Sequence, residues 1–178
     1  YNKLYDVPIQ LEGYDPTYKG HQGQIKKAAT LIKNAKRPLI IAGAGVLKSG
    51  AMAELKALAE KAQIPVANTL VGLGGFPGNH ELALGMVGMH GSVAANNCTE
   101  DADLVIAAGI RFHDRITGHP DFFCKKAKII HIDIDPAEID KNVTINVPIV
   151  GDLKRVLTEL NTFVEPTTHE SWIAQIRE

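Results

Sequence analysis

The chain of 178 residues predicts an α/β fold in which a parallel sheet is doubly wound by helices on both faces. Three observations point there. Short unbroken apolar runs such as PLIIAG (38–43) and DLVIAAG (103–109) read as strands buried on both sides. Segments with helical spacing lie between such runs. Glycines close the runs, Gly43 with Gly45, Gly72 with Gly74, then Gly109 and Gly151, where an open parallel sheet places its ligand crevice.

QGQIKKAATLIKNAKR (22–37) comes first, a helix whose Ile25, Ala28, Ala29 and Ile32 recur at i, i+3, i+4 and i+7 and whose Lys36 and Arg37 suit a helix end. Pro38 opens the first strand, a position that needs no ladder N–H. SGAMAELKALAEKAQ (49–63) reads as a helix with Ser49 as N-cap, and PVANTL (65–70) as the second strand. SVAANNCTEDA (92–102) is a further helix candidate before the 103–109 strand. KIIHIDI (128–134) and NVPIVG (146–151) are strands, and PAEIDKN (136–142) between them is read as helical. GDLKRVLTELNTFV (151–164) is a helix begun by Asp152, with Leu153, Val156, Leu157 and Leu160 on one face. The sum is a Rossmann-like sheet of about six strands. The chain divides into a linker-like leader (1–21), one domain (22–164) and the start of a linker or following segment (165–178).

Composition excludes several roles. Formal net charge is -1, from 19 basic and 20 acidic residues mixed along the chain, so no footprint for a nucleic-acid backbone or an anionic membrane is present. The two cysteines, Cys98 and Cys124, form no CxxC pair and fit a reducing compartment, and no apolar run approaches the roughly 18 residues of a membrane span. A cytoplasmic protein is expected. The Tyr1 start and the leader YNKLYDVPIQLEGYDPTYKGHQ suggest a piece of something longer.

GAGVLKSG after the first strand resembles a dinucleotide loop, but Lys48 stands where the GxGxxG fingerprint needs glycine, and the second strand ends in Asn68 and Thr69 instead of a ribose-binding acid. In DIDPAE, Asp135, Pro136 and Glu138 make a capping box, which leaves Asp133 at a strand end to accept from a ribose hydroxyl. His113, Asp114, His119 and Asp121 match no standard metal spacing, so no metal ligand is assigned. Arg111 and Arg115 either pair with loop acids such as Asp114 and Asp121 or, being planar donor forks just past a strand end, neutralise a pyrophosphate.

Five stretches in order carry a resemblance: RPLIIAGAGV (37–46), PVANTLVGLGGFPGNHELALGMVGMHG (65–91), DLVIAAGIRFHDRITG (103–118), KIIHIDIDPAEIDK (128–141) and PIVGD (148–152). Together they resemble the central domain of the large, catalytic subunit of acetolactate synthase, also called acetohydroxyacid synthase. That family is a three-domain thiamine-diphosphate enzyme whose middle domain holds FAD in a mostly structural role. The resemblance implies FAD contacts from Gly43, Ala44 and Gly45, from Thr69 and Leu70, and from Gly88, Met89, His90 and Gly91. It adds Gly109, Arg111, Arg115, Asp133, Ile134, Gly151 and Asp152. His113 departs from the family's usual RFDDR.

The resemblance also implies what lies elsewhere. Thiamine diphosphate and Mg2+ would be held by domains this chain does not contain, so no catalytic residue is assigned and the chain alone is expected to be inactive. The parent would decarboxylate pyruvate and join it to a second 2-oxoacid, the first step of branched-chain amino-acid synthesis, with Met89, Asp114 and Arg115 near the active-site entrance. Its partners would be the other two domains, further copies in a homo-oligomer, and in some members a regulatory subunit. Alternatives are another carboligase such as glyoxylate carboligase, a flavin-free structural module of the superfamily, and an NAD-dependent oxidoreductase or deacylase domain.

Overall fold

The computed structural model describes residues 16–119 and 123–177. Six strands form one sheet, all parallel, in the order β3-β2-β1-β4-β5-β6. They are β1 (Pro38–Ala42), β2 (Val66–Asn68), β3 (Ala83–Met86), β4 (Leu104–Ala108), β5 (Lys128–Asp133) and β6 (Val147–Val150). This is the Rossmann strand order, and its direction of winding reverses between β1 and β4. Ile40 pairs with Val66 on one side and Ile106 on the other, and every residue of β1 and β4 is buried, as their unbroken apolar composition requires.

Helices cover both faces. Alternate strand residues divide the core: Ile40, Ile106, Ile130, Ile132 and Ile149 meet α1 (Gln22–Asn34), α3 (Met52–Ala62) and α6 (Leu153–Phe163). Leu39, Ile41, Val105 and Ile129 meet α4 (Val93–Asp101) and α7 (Glu170–Arg177). The predicted stripes are the buried ones, Ile25, Ala28, Ala29 and Ile32 in α1 and Leu153, Val156, Leu157 and Leu160 in α6. Asp152 caps α6, its carboxylate accepting from Arg155 N–H at 3.0 Å. At the opposite end of the sheet the Asp103 carboxylate accepts from Lys36 and Arg37 N–H at 2.8 and 3.0 Å, which fixes where α1 hands over to β1.

Several local expectations are corrected. Ser49 does not start α3; a short helix α2 (Ala44–Lys48) intervenes, and Ser49 ends it, its hydroxyl donating to Gly45 O at 2.7 Å. PAEIDKN makes only the 3-10 turn Pro136–Glu138, because Asp140 takes a φ of +61° and breaks the helical path. Asp135 does cap that turn through Ala137 N–H, but the Glu138 carboxylate does not close a capping box and lies against Lys141 at 3.2 Å and Arg111 at 3.8 Å. β3 was not read as a separate strand: ALGM is short, half-exposed, at the sheet edge, and carries Gly85 with φ +80°.

The segment after residue 164 includes α7, whose Trp172 is buried and donates its indole N–H to Pro38 O at 3.0 Å. Most of the leader and Asp121 lie outside the described residues. No helix among the described residues is long and apolar enough to cross a membrane.

Candidate cofactor site

The seam between β1 and β4 is where the sheet opens, and it is lined by backbone. Gly43 N–H donates to Ala108 O and Gly45 N–H to Gly109 O, each at 3.0 Å. A Cβ on Gly43 would stand 2.2 Å from Gly109 O, and one on Gly45 2.6 Å from Gly109 Cα. Gly109 itself has φ +61°. These three glycines are therefore required by two strand-end loops lying in contact, and two of the N–H groups in GAG are already spent on that contact. Ala44 sits between them at the start of α2.

Beyond β2, Thr69 is 2 % exposed and its hydroxyl has no partner among the described residues, although the residue precedes the 3-10 turn Leu70–Gly72 that it could have capped. Leu70 and Val71 are exposed instead. Beyond β3, Gly88 has φ +110° and its Cβ position is filled by Arg115 O at 2.5 Å. Asn96 of α4 clamps this loop, accepting from Gly88 N–H at 2.9 Å and donating to Gly88 O at 3.0 Å. Met89 N–H donates to Arg115 O at 3.0 Å, so the 88–91 loop is tied to the short helix α5 (Asp114–Thr117) that follows β4.

These ties enclose one cavity of about 750 Å³. Thr69, Leu70, Met89, His90 and Arg115 line it, together with His113 and Asp114. The volume suits a small-molecule or cofactor site. Arg115 makes no side-chain hydrogen bond or ion pair among the described residues, and the exposed His113 ring stands 3.9 Å from the Asp114 carboxylate. A larger recess of about 980 Å³ lies between Thr17–Gln24 and β6, but among the described residues no buried polar side chain lines it.

The remaining residues implied as flavin contacts form separate groups. Gly43, Ala44, Gly45 and Gly109 make the seam; Gly88 and Gly91 shape the loop behind the cavity. Arg111, between buried Ile110 and Phe112 in the chain, stands 3.8 Å from the Glu138 carboxylate. Asp133 is partly committed, one oxygen accepting from Asp135 N–H at 2.9 Å, with exposed Ile134 between them. Gly151 N–H donates to Asp133 O, and Gly20 backbone lies 3.0 Å from a Cβ built on Gly151. Asp152 caps α6 and donates its own N–H to Tyr18 O.

Sequence reasoning missed His131. It sits in the middle of an apolar strand, fully buried, with Nε2 2.9 Å from Ile110 O and 4.0 Å from the Asp133 carboxylate, and Phe112 meets its ring edge-on. Burial holds its pKa below the ordinary value, partly offset by the Ile110 carbonyl and Asp133. It locks the loop carrying Arg111 to the strand carrying Asp133. Its position inside KIIHID was the only available signal: a polar residue in an unbroken apolar run must find a partner. Asn68 and Asn96 gave no comparable signal.

Comparison with known proteins says what this arrangement belongs to. The family described as "Thiamine pyrophosphate enzyme, central domain" matches residues 25–160. The chain belongs to that family. Among similar proteins, a "Probable acetolactate synthase large subunit" of Methanocaldococcus jannaschii is 53% identical over 179 residues, covering 98% of this chain and 30% of that protein. The "Acetolactate synthase large subunit" of Buchnera aphidicola subsp. Schizaphis graminum is 44% identical over 178 residues, covering 100% of this chain and 31% of its own length. An "Acetolactate synthase" of Mycobacterium bovis is 51% identical over 152 residues, covering 85% of this chain and 25% of that protein. This thiamine pyrophosphate enzyme central domain thus spans about a third of those relatives or less.

Proposed function

We propose that the chain is the FAD-binding central domain of an acetolactate synthase large subunit. What supports the flavin is the cavity beyond β2 and β4, where a buried hydroxyl and a guanidinium, both without a side-chain partner among the described residues, line the same space. A buried orphan hydroxyl costs free energy that a bound acceptor or donor would recover, and an unpaired arginine suits a diphosphate. These residues fit the cofactor. Thr69 and the 88–91 loop would seat it, Arg115 would balance its charge, and Arg111, held by Glu138, would approach from the neighbouring strand end.

In this reading the parent is a cytoplasmic enzyme of branched-chain amino-acid synthesis that condenses pyruvate with a second 2-oxoacid. Thiamine diphosphate, anchored with Mg2+ by parts of the parent outside this chain, supplies the carbon–carbon chemistry. This chain's residues bind and orient. Met89, 70 % exposed, and Arg115 line the cavity and in this reading would also influence the second substrate.

The test is a titration of the chain and of the longer parent with FAD, followed by flavin fluorescence, beside the Arg111→Ala, Arg115→Ala double variant. Saturable FAD binding, weakened at least tenfold in the variant and absent with NAD, is expected. Unchanged FAD affinity of the variant parent would overturn the assignment of the arginines, and a flavin-free, fully active parent would overturn the FAD reading.

A further inference from the structure

A second cleft, of about 500 Å³, lies between α3 and the β2–β3 edge. It shares no lining residue with the cavity above, so it stands independently of the flavin reading. At its base is Asn68, the last residue of β2, 3 % exposed. Its Oδ1 is buried without a donor, and no partner is found for its Nδ2 among the described residues. A buried amide oxygen without a donor is uncommon in folded proteins and marks a place where something else can complete it. Half a turn of the amide exchanges donor and acceptor, so either end can face the cleft.

The rest of the lining states what that something is. Phe76, Leu73, Met52 and Ala83 give apolar walls, and Leu73 and Met52 are 49 % and 42 % exposed despite their size. Lys56 is the one charged residue lining the cleft among the described residues. Its ammonium stands 3.6 Å from Glu60, an i,i+4 pair with both side chains nearly half exposed, the kind that contributes little and yields its cation readily. Glu60 itself is shared with His80 at 3.2 Å and does not line the cleft. The backbone of Gly74 and Gly85, both at positive φ, adds close approach without side chains.

We infer that this cleft binds a small organic acid: Lys56 Nζ and the Asn68 amide N–H hold the carboxylate, and a short hydrocarbon body lies against Phe76, Leu73 and Met52. A cation and a neutral amide donor line the same apolar slot. That combination favours a monocarboxylate over a sugar, which would leave the walls unsatisfied, and over an amine, which Lys56 would repel.

The probe is isovalerate, titrated into the isotopically labelled chain while amide shifts are followed by NMR, with isovaleramide and isopentylamine as neutral and cationic counterparts of the same shape. Isovalerate should shift the Asn68 side-chain NH2 and the Gly74, Gly75 and Gly85 amides saturably, with a Kd on the order of a millimolar for so few atoms. Isovaleramide should bind at least about tenfold more weakly, and Lys56→Met, a change on an exposed helix face, should lose isovalerate by a similar factor. Three results overturn the inference: no saturable shift, equal affinity for acid and amide, or shifts confined to Met89, His90 and Arg115. The neutral probe on the unaltered chain keeps the test decisive whatever a variant does to folding.

Discussion

Replacing Thr69 by valine separates a structural from a ligand-binding role by sign. The Thr69 hydroxyl is buried with no partner among the described residues, while its backbone is fully engaged, N–H to Ala42 O at 2.9 Å and carbonyl to Gly72 N–H at 2.9 Å. Valine keeps the β-branch and suits the extended φ of -73° and ψ of 163°. In the free chain the exchange removes an unsatisfied polar group, so stability should rise by about 1 kcal/mol. For a domain of this size that is a Tm increase of about 3 °C. FAD affinity should move the other way, falling about fivefold for one lost neutral hydrogen bond. Thermal unfolding of the free chain and flavin titration of the parent read the two effects separately. A destabilised Thr69→Val chain with unchanged FAD affinity would refute the reasoning, since the hydroxyl would then serve the fold.

Two further outcomes follow from the same geometry. Gly109→Ala forces alanine to φ +61° and sets its Cβ 2.6 Å from Gly45 Cα, so a loss of about 3 kcal/mol is expected. Gly50→Ala, at φ +65° with nothing within 4 Å, should lose only about 1 kcal/mol, and equal losses in urea unfolding would contradict the loop-contact account. His131 and His169 both have pKa values lowered by burial below 6.5, so the unfolded chain binds more protons and folding stability is full above that value and lost as pH falls through the folded pKa values. His131→Gln should flatten the decline of urea midpoints between about pH 7 and about pH 5, and an unchanged slope would mean that His131 is not buried neutral.

The elements legible in the sequence are those whose local chemistry and tertiary setting agree. β1 and β4 are apolar throughout because both faces are covered, and α1 and α6 show their buried stripes directly. The Asp152 cap was readable because one side chain and one N–H three residues on decide it. What failed depends on contacts distant in sequence. Ser49 has the chemistry of an N-cap, but the turn places its hydroxyl over the preceding helix end. Glu138 fits a capping box on spacing alone, yet Lys141 and Arg111 take its carboxylate. Glycines marked the strand ends correctly, while their reason here, backbone against backbone across the seam, has no signature in the spacing. The residues at the cavity divide likewise: Thr69 and Arg115 are brought together, and Arg111 is held some way along by an acid that spacing had assigned elsewhere.

The β1–β4 seam also has a bearing on how the chain assembles. Residues 38–42 lie beside residues 104–108, so the central ladder cannot close until more than sixty residues of intervening chain have been gathered. α1 likewise meets the far end of the domain through α6, giving a contact order that favours slow, all-or-none folding over piecewise growth. A ligand laid across that seam would touch neither half alone. Its binding would therefore act on the cooperative transition of the whole domain, so that saturation slows global opening instead of merely quieting a loop.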